Sequence, residues 1–204
     1  MMKYTYTSLT KIVFGVTLYQ IKALVSFGSV VEGEIGGWIE KRENLAECGD
    51  AWVYGDARVY GNARVSGDAR VSGVARVSGN AWVSGNAWVY GNAWVSGNAW
   101  VYGDARVYGN AWVYGDARVH GDARVYGDAD FLSVGPLGSR KSFLSVYADS
   151  KINLRFTTGC FTGSLKDFED AVEKTHGSTL YGQQYRAAIA LAKLVVKPHG
   201  GSDV

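Results

Sequence analysis

The chain is expected to be mainly β: a stacked solenoid of short strands over residues 49–132, an N-terminal β cap over residues 1–48 and a small α+β module over residues 133–204. Three observations lead there. A six-residue phrase runs fourteen times without insertion, as Gly-Asp-Ala-Trp-Val-Tyr, Gly-Asp-Ala-Arg-Val-Tyr and close variants. Within each phrase Ala and Val stand two apart, Ala from Ala51 to Ala129 and Val from Val53 to Val125, with Phe131 closing the series. That is the period of a strand. Each run is then cut by Gly with Asp or Asn, residues that accept left-handed backbone and tight turns. A strand this short cannot bury its Ala/Val side alone, whereas stacked copies can.

The elements follow in order. Residues 4–7 and 17–24 alternate as strands, and residues 30–40 carry Gly33, Gly36 and Gly37 before Trp38-Ile39. A solenoid needs a cap, because its first coil otherwise exposes strand edges and its valine layer. After the repeat, residues 130–134, 142–148 and 151–157 read as three strands, separated by Gly135-Pro136-Leu137-Gly138 and Asp149-Ser150. Ser164 with Asp167 three residues on reads as a capping box, opening a helix with Leu165, Phe168 and Val172 as its buried stripe and Gly177 as its end. A second helix is expected over residues 182–196, with Tyr185, Ala188, Ile189, Ala192 and Val195 facing inward and Pro198 as its stop.

The spacing and residue types resemble the hexapeptide-repeat family, whose fold is the left-handed parallel β-helix. The resemblance implies that three phrases make one triangular coil, with an aliphatic residue and a small residue four positions later pointing inward, as Val53 and Ala57 do. Stacked at about 4.8 Å, between four and five coils give a prism roughly 20–25 Å tall. The opening (Phe27-Gly28, Gly36-Gly37-Trp38-Ile39-Glu40, Asn44-Leu45) looks like that of uncharacterised hexapeptide-repeat proteins of bacteriophages and prophages. So do the later phrases Val134-Gly135-Pro136-Leu137-Gly138-Ser139-Arg140, Gly159-Cys160-Phe161 and Thr175-His176-Gly177. That implies a phage or prophage origin and carries no established activity with it. Proteins of the family are typically trimers packed along their prisms.

The fourth position of the phrase is Trp or Arg and is expected to point outward. With three phrases per coil, one face carries Trp52, Arg70, Trp88, Arg106 and Arg124, and a second Arg58, Arg76, Trp94, Trp112 and Asp130. The third carries Arg64, Trp82, Trp100 and Arg118. Trp82, Trp88, Trp94 and Trp100 are consecutive and read as an aromatic belt around one coil. Cations with rings suit a nucleotide. Most Arg phrases carry Asp two residues earlier (Asp56/Arg58, Asp68/Arg70, Asp104/Arg106, Asp116/Arg118, Asp122/Arg124), so each Arg is expected to have its own counter-charge. Most Trp phrases carry Asn instead. Seven Arg against eight Asp over the repeat leave a net charge of minus one, which excludes a track for long nucleic acid. The exposed indoles therefore read either as contacts within a homotrimer or as a seam site for a small anionic ligand, built from Arg64, Trp82, Trp100, Arg118, Trp94 and Trp112. Gly138, Ser139, Arg140 and Lys141 add backbone amides, a hydroxyl and two cations that suit a phosphate, or else form a plain hairpin turn.

Catalysis has thinner support. Hexapeptide acyltransferases use a seam histidine as general base, and only His120 of His120, His176 and His199 falls on the prism, in a slot otherwise held by Tyr or Ser. No phrase is interrupted by the loop that walls such sites. Cys160 with His176 is a nucleophile–base pair by residue type, without an evident orienting acid. No metal site and no cofactor are expected. Cys48 and Cys160 are the only cysteines and give no disulfide framework. Residues 12–27 are apolar but broken by Gln20 and Lys22, so neither a membrane span nor a leader is expected, and the host cytosol is the expected compartment. The function expected is that of a non-enzymatic, trimeric binding protein that sequesters a nucleotide-like signalling molecule or a host protein, with an acyltransferase and a structural or virion scaffold as the alternatives.

Overall fold

The computed structural model describes residues 2–127, 131–149 and 152–197. Strands β1 (Tyr4–Val13), β2 (Val16–Ala23) and β3 (Ile35–Ile39) precede thirteen two-residue strands, β4 to β16, that recur every six residues from Trp52–Val53 to Arg124–Val125. The two-residue strands from β4 to β13 each pair in parallel with the one eighteen positions on, as Trp52 with Arg70, Trp100 with Arg118 and Val89 with Val107. The three resulting columns are the faces of a β-solenoid of about five turns. Every described Ala and Val of the two inward slots is buried, at 0–1 % exposure, and these form the interior of the prism, whereas Val74, in the corner slot, is exposed. The corner glycines need positive φ and lack of a side chain together. At Gly97 φ is +69°, and an added Cβ would stand 2.8 Å from the amide nitrogen of Gly115 one coil above.

The solenoid takes in part of the capping segment. Trp38-Ile39 pairs in parallel with Arg58-Val59, and Leu45 bridges Val65, so a first coil runs through β3, Leu45 and β4. Asn44 stands at its corner fully buried, its amide nitrogen donating to the carbonyls of Gly61 (3.1 Å) and Ala63 (2.8 Å). The β1–β2 hairpin extends one face, and Lys3 folds across the end to donate to the Ala51 carbonyl at 2.9 Å. Trp52 therefore departs from the outward ladder expected of it. It is 0 % exposed, packed edge-on by Tyr4 (6.2 Å) and Phe27 (5.4 Å), because the cap closes over the first coil at that point.

The C-terminal module is a four-stranded antiparallel sheet in sequence order, β17 (Phe131–Leu137), β18 (Ser142–Asp149), β19 (Asn153–Thr158) and β20 (Phe161–Ser164), followed by α1 (Leu165–His176) and α2 (Leu180–Val195). β20 was not expected. Phe161 pairs with Thr158 across a tight turn at Gly159, so a stretch too short to show alternation is held by its neighbour strand. β17 also runs through Leu137, which confines the hairpin turn to 138–141. The capping box at Ser164 and Asp167 is present. Phe168, Val172, Tyr185, Ala188, Ile189 and Ala192 pack on Leu144, Val146 and Phe156, and the last apolar contact comes from Val196 rather than Val195. Phe131 and Tyr147 join the solenoid core, so aromatic side chains plug this end of the prism as Trp52 plugs the other. Ala129, Asp130, Ser150, Lys151, Pro198 and His199 lie outside the described residues.

Candidate functional site

The outward slots build three distinct ladders. On one column Trp82 and Trp100 meet edge to face at 5.3 Å, and the Arg118 guanidinium lies 5.4 Å from the Trp100 ring. Arg64 heads the same column. On a second column Trp94 and Trp112 meet at 5.2 Å, with Arg76 between the rings of Trp94 and Phe14 at 5.7 Å from each. The third carries a stack of Tyr90 on Tyr108 at 4.8 Å. The expected belt is thus resolved into vertical pairs, because rungs 4.8 Å apart bring indoles into contact sooner than corners do. Indole orientation is set from the preceding coil: Trp82, Trp88 and Trp94 donate to Ser66, Ser72 and Ser78 at 3.0–3.2 Å.

Four of the five expected Asp–Arg pairs are not formed. Arg58, Arg70, Arg106 and Arg118 form no ion pair with the Asp two residues before them among the described residues, and Asp56 binds Lys11 at 3.0 Å instead. The strands are only two residues long, so the alternation that puts i and i+2 on one face stops at the corner where the Asp sits. Corner side chains bond vertically. Lys41 donates to Asn62, Asn62 to Asn80, Asn80 to Asn98 and Asn98 to Asp116, at 3.0, 3.2, 3.0 and 2.8 Å.

Where the Trp82–Trp100 column meets the C-terminal sheet there is a cleft of about 270 Å³. Arg118 enters it from the prism and Lys141 from the β17–β18 turn, where Lys141 holds a φ of +48°. Neither forms an ion pair among the described residues; Arg118 donates only to the Gly159 carbonyl at 3.4 Å. Ser142, Ser145, Thr157 and Thr158 line the wall, and the Thr158 hydroxyl is buried with no hydrogen-bond partner among the described residues. Asp116, already holding Asn98, stands at the rim. The cleft can therefore seat a compact anion between a planar guanidinium and a flexible ammonium.

The expected ligand residues divide. Arg118 and Lys141 converge on the cleft, with Trp82 and Trp100 on the column leading to it. Trp94 and Trp112 line a separate groove with Arg76 and Val74. Gly138 turns to α2, its amide donating to Gln184 at 3.0 Å, Ser139 is exposed on the turn, and Arg140 reaches Cys160 at 3.8 Å. Thr157 and Thr158 went unread, since nothing in a Thr-Thr-Gly sequence says that one hydroxyl faces a neighbouring module.

The catalytic candidates are scattered. His120 is half-buried at the junction, stacked on Tyr102 at 4.9 Å, while its backbone amide donates to the Tyr147 phenol at 3.3 Å. Burial, with Arg155 nearby, holds its imidazole below the ordinary range. Cys160 is exposed on the β19–β20 turn, and His176 stacks on Tyr185 at the end of α1. No hydrogen bond joins Cys160 to His176 among the described residues. Nor does any group of three His, Cys, Asp or Glu converge there on a metal site. No described helix is long and apolar enough to cross a membrane.

Six stretches of the prism, residues 51–65, 57–73, 75–91, 87–103, 99–115 and 105–121, match the family model of the YdcK beta solenoid repeat. That agrees with the stacked columns and covers less than half of the chain. No curated protein matches the chain.

Proposed function

We propose that this β-solenoid repeat protein is a non-enzymatic binding protein that holds a small anionic, ring-bearing ligand of the nucleotide class in the cleft between prism and C-terminal sheet. The observation that carries the reading is the convergence of Arg118 and Lys141, two cations from separate modules without carboxylate partners among the described residues. A free guanidinium fork matches phosphate or carboxylate oxygens, and a lysine supplies a point charge. Trp100 lies under the Arg118 guanidinium, outside the cleft lining, and holds that cation at the cleft mouth, where its outer face is left for a planar ligand. Asp116 at the rim leaves the cleft with a single net positive charge, which favours a small ligand over a polyanion.

In this reading the chain is of the hexapeptide type and of phage or prophage origin, assembles as a trimer along its prism faces, and sequesters a host signalling nucleotide in the host cytosol as counter-defence. The family resemblance of the repeat and of the flanking phrases supports that setting.

Native mass spectrometry and titration calorimetry with linear and cyclic nucleotides and acyl-CoAs test it. The expected result is uptake in whole-number steps, release of unchanged ligand, and at least a tenfold loss of affinity, about 1.4 kcal/mol, in Arg118→Ala and Lys141→Ala. A panel that is wholly ignored, or variants that bind as tightly as the parent, overturns the reading. Acyl-CoA turnover that is lost in His120→Ala puts the acyltransferase in its place.

A further inference from the structure

Helix α2 carries two apolar faces. Gly182, Tyr185, Ala188, Ile189 and Ala192 are buried in the C-terminal module. On the opposite side, Leu180, Ala187, Leu191 and Leu194 stand at intervals of seven, four and three, which puts them on one stripe of a 3.6-residue helix. All four are exposed, Leu180 at 65 %, Leu191 at 41 % and Leu194 at 80 %. Three leucines and an alanine thus share one exposed stripe about 21 Å long, from fourteen rises of about 1.5 Å, broken only by Gln183 between Leu180 and Ala187.

We propose that this ridge is a two-fold interface with a second copy of the same chain, α2 packing antiparallel on α2. Two features select a second copy over another occupant. The two ends of the stripe are symmetric about Ala187, with Leu180 seven residues before it and Leu194 seven residues after. An axis through Ala187 therefore sets Leu180 of one copy on Leu194 of the other and Leu191 on the aliphatic stem of Gln183, the self-complementarity that an isologous contact requires. The small side chain at the centre lets the helix axes approach to about 8 Å. The second feature is charge. The helix's cations Arg186 and Lys193 turn away to α1, meeting Glu173 at 3.3 Å and Glu169 at 2.8 Å, and Gln184 is held by Gly138. The ridge is left neutral, so identical copies meet without the like-charge repulsion that a self-contact otherwise carries, and a charged partner finds nothing to complement it. One helix pair buries less than the roughly 1,200–2,000 Å² of a standard interface, so the dimer is reversible on dilution. The inference is independent of the ligand cleft and of any packing along the prism.

The test is the molar mass of the full chain by sedimentation equilibrium over a dilution series, beside Leu194→Glu and Leu191→Glu. Both positions are exposed, so the variants fold, and the indole fluorescence of the prism with the helical circular dichroism verifies that. The expected result is a mass that halves on dilution of the parent and stays at the lower value in the variants at all but the highest concentrations, a shift of at least tenfold in the dissociation constant. A second measurement fixes the direction. In a Cys48→Ser, Cys160→Ser background, mixing Leu180→Cys chains with Leu194→Cys chains gives an oxidised heterodimer that neither gives alone. A parent mass that does not change with concentration, variants that assemble as the parent does, or crosslinks formed equally by each cysteine chain alone overturns the proposal.

Discussion

The corner ladder gives a sharp test of why Asn and Asp are distributed along the repeat as they are. Asn98 sits between Asn80, whose amide donates to it at 3.0 Å, and Asp116, whose carboxylate it holds at 2.8 Å. Replacing Asn98 by Asp keeps the shape and the acceptor facing Asn80 but turns the donor facing Asp116 into a second carboxylate. The loss has two parts. A hydrogen bond to a charged group contributes about 1.5–3 kcal/mol in general, and an exposed one falls at or below the lower end. Two like charges about 3 Å apart in near-aqueous dielectric add about 1.4 kcal/mol, reduced by salt and by rotation of the side chains into water. The expected destabilisation is about 1–2 kcal/mol at neutral pH, against no more than about 1 kcal/mol for Asn98→Ala, which loses the bonds without adding charge. All seven tryptophans lie in β3 and the prism, so urea unfolding followed by indole fluorescence reports on the solenoid alone. The excess of Asn98→Asp over Asn98→Ala should shrink in 1 M salt, where screening falls to about 3 Å and weakens a repulsion between exposed charges. Equal destabilisation by the two substitutions at low salt, or an excess that high salt leaves unchanged, would refute the ladder as the reason for the Asn/Asp pattern.

Two further outcomes follow from the same geometry. Trp52→Ala removes a fully buried plug and should cost about 3–5 kcal/mol, whereas Trp112→Ala, at a site 55 % exposed, should change thermal stability far less, and similar shifts in melting temperature would contradict the end-plug assignment. Burial holds the His120 imidazole below its ordinary value near 6.5, so the unfolded chain binds the proton first and stability falls as pH drops below about 6.5. His120→Tyr, which restores the residue used in most neighbouring phrases, should flatten that acid limb of the stability curve, and an unchanged limb would exclude His120 as its source.

The candidate site was legible in residue type and not in arrangement. Arg118 and Lys141 each stood out, one as a cation on an indole column and one as a cation in a glycine-rich turn. Their meeting depends on the way Tyr147 and the Ala123–Asp149 bridge seat the C-terminal sheet on the last coil. Gly138 and Arg140 looked equally suited to a phosphate, yet the turn directs one to α2 and the other to Cys160. A hairpin turn four residues long points its side chains in divergent directions, and only the surrounding packing selects which of them faces the cleft.

The repeat by itself determined the solenoid. An Ala/Val period of two, interrupted every six residues by a glycine corner, buries its apolar atoms only by stacking, and the eighteen-residue pairing is the one that the hexapeptide-repeat resemblance implies. The sequence also determined the capping box of α1 and the buried stripes of both helices, because these rest on local spacing. Tertiary structure decided what each outward residue does. It buried Trp52 under the cap, left Arg58, Arg70, Arg106 and Arg118 without an ion pair to the aspartates that precede them, gave the corners to vertical amide ladders and left the leucines of α2 uncovered. Those outcomes depend on which coil lies eighteen residues away and which module closes each end, and that information resides in the stack as a whole and not in any single phrase.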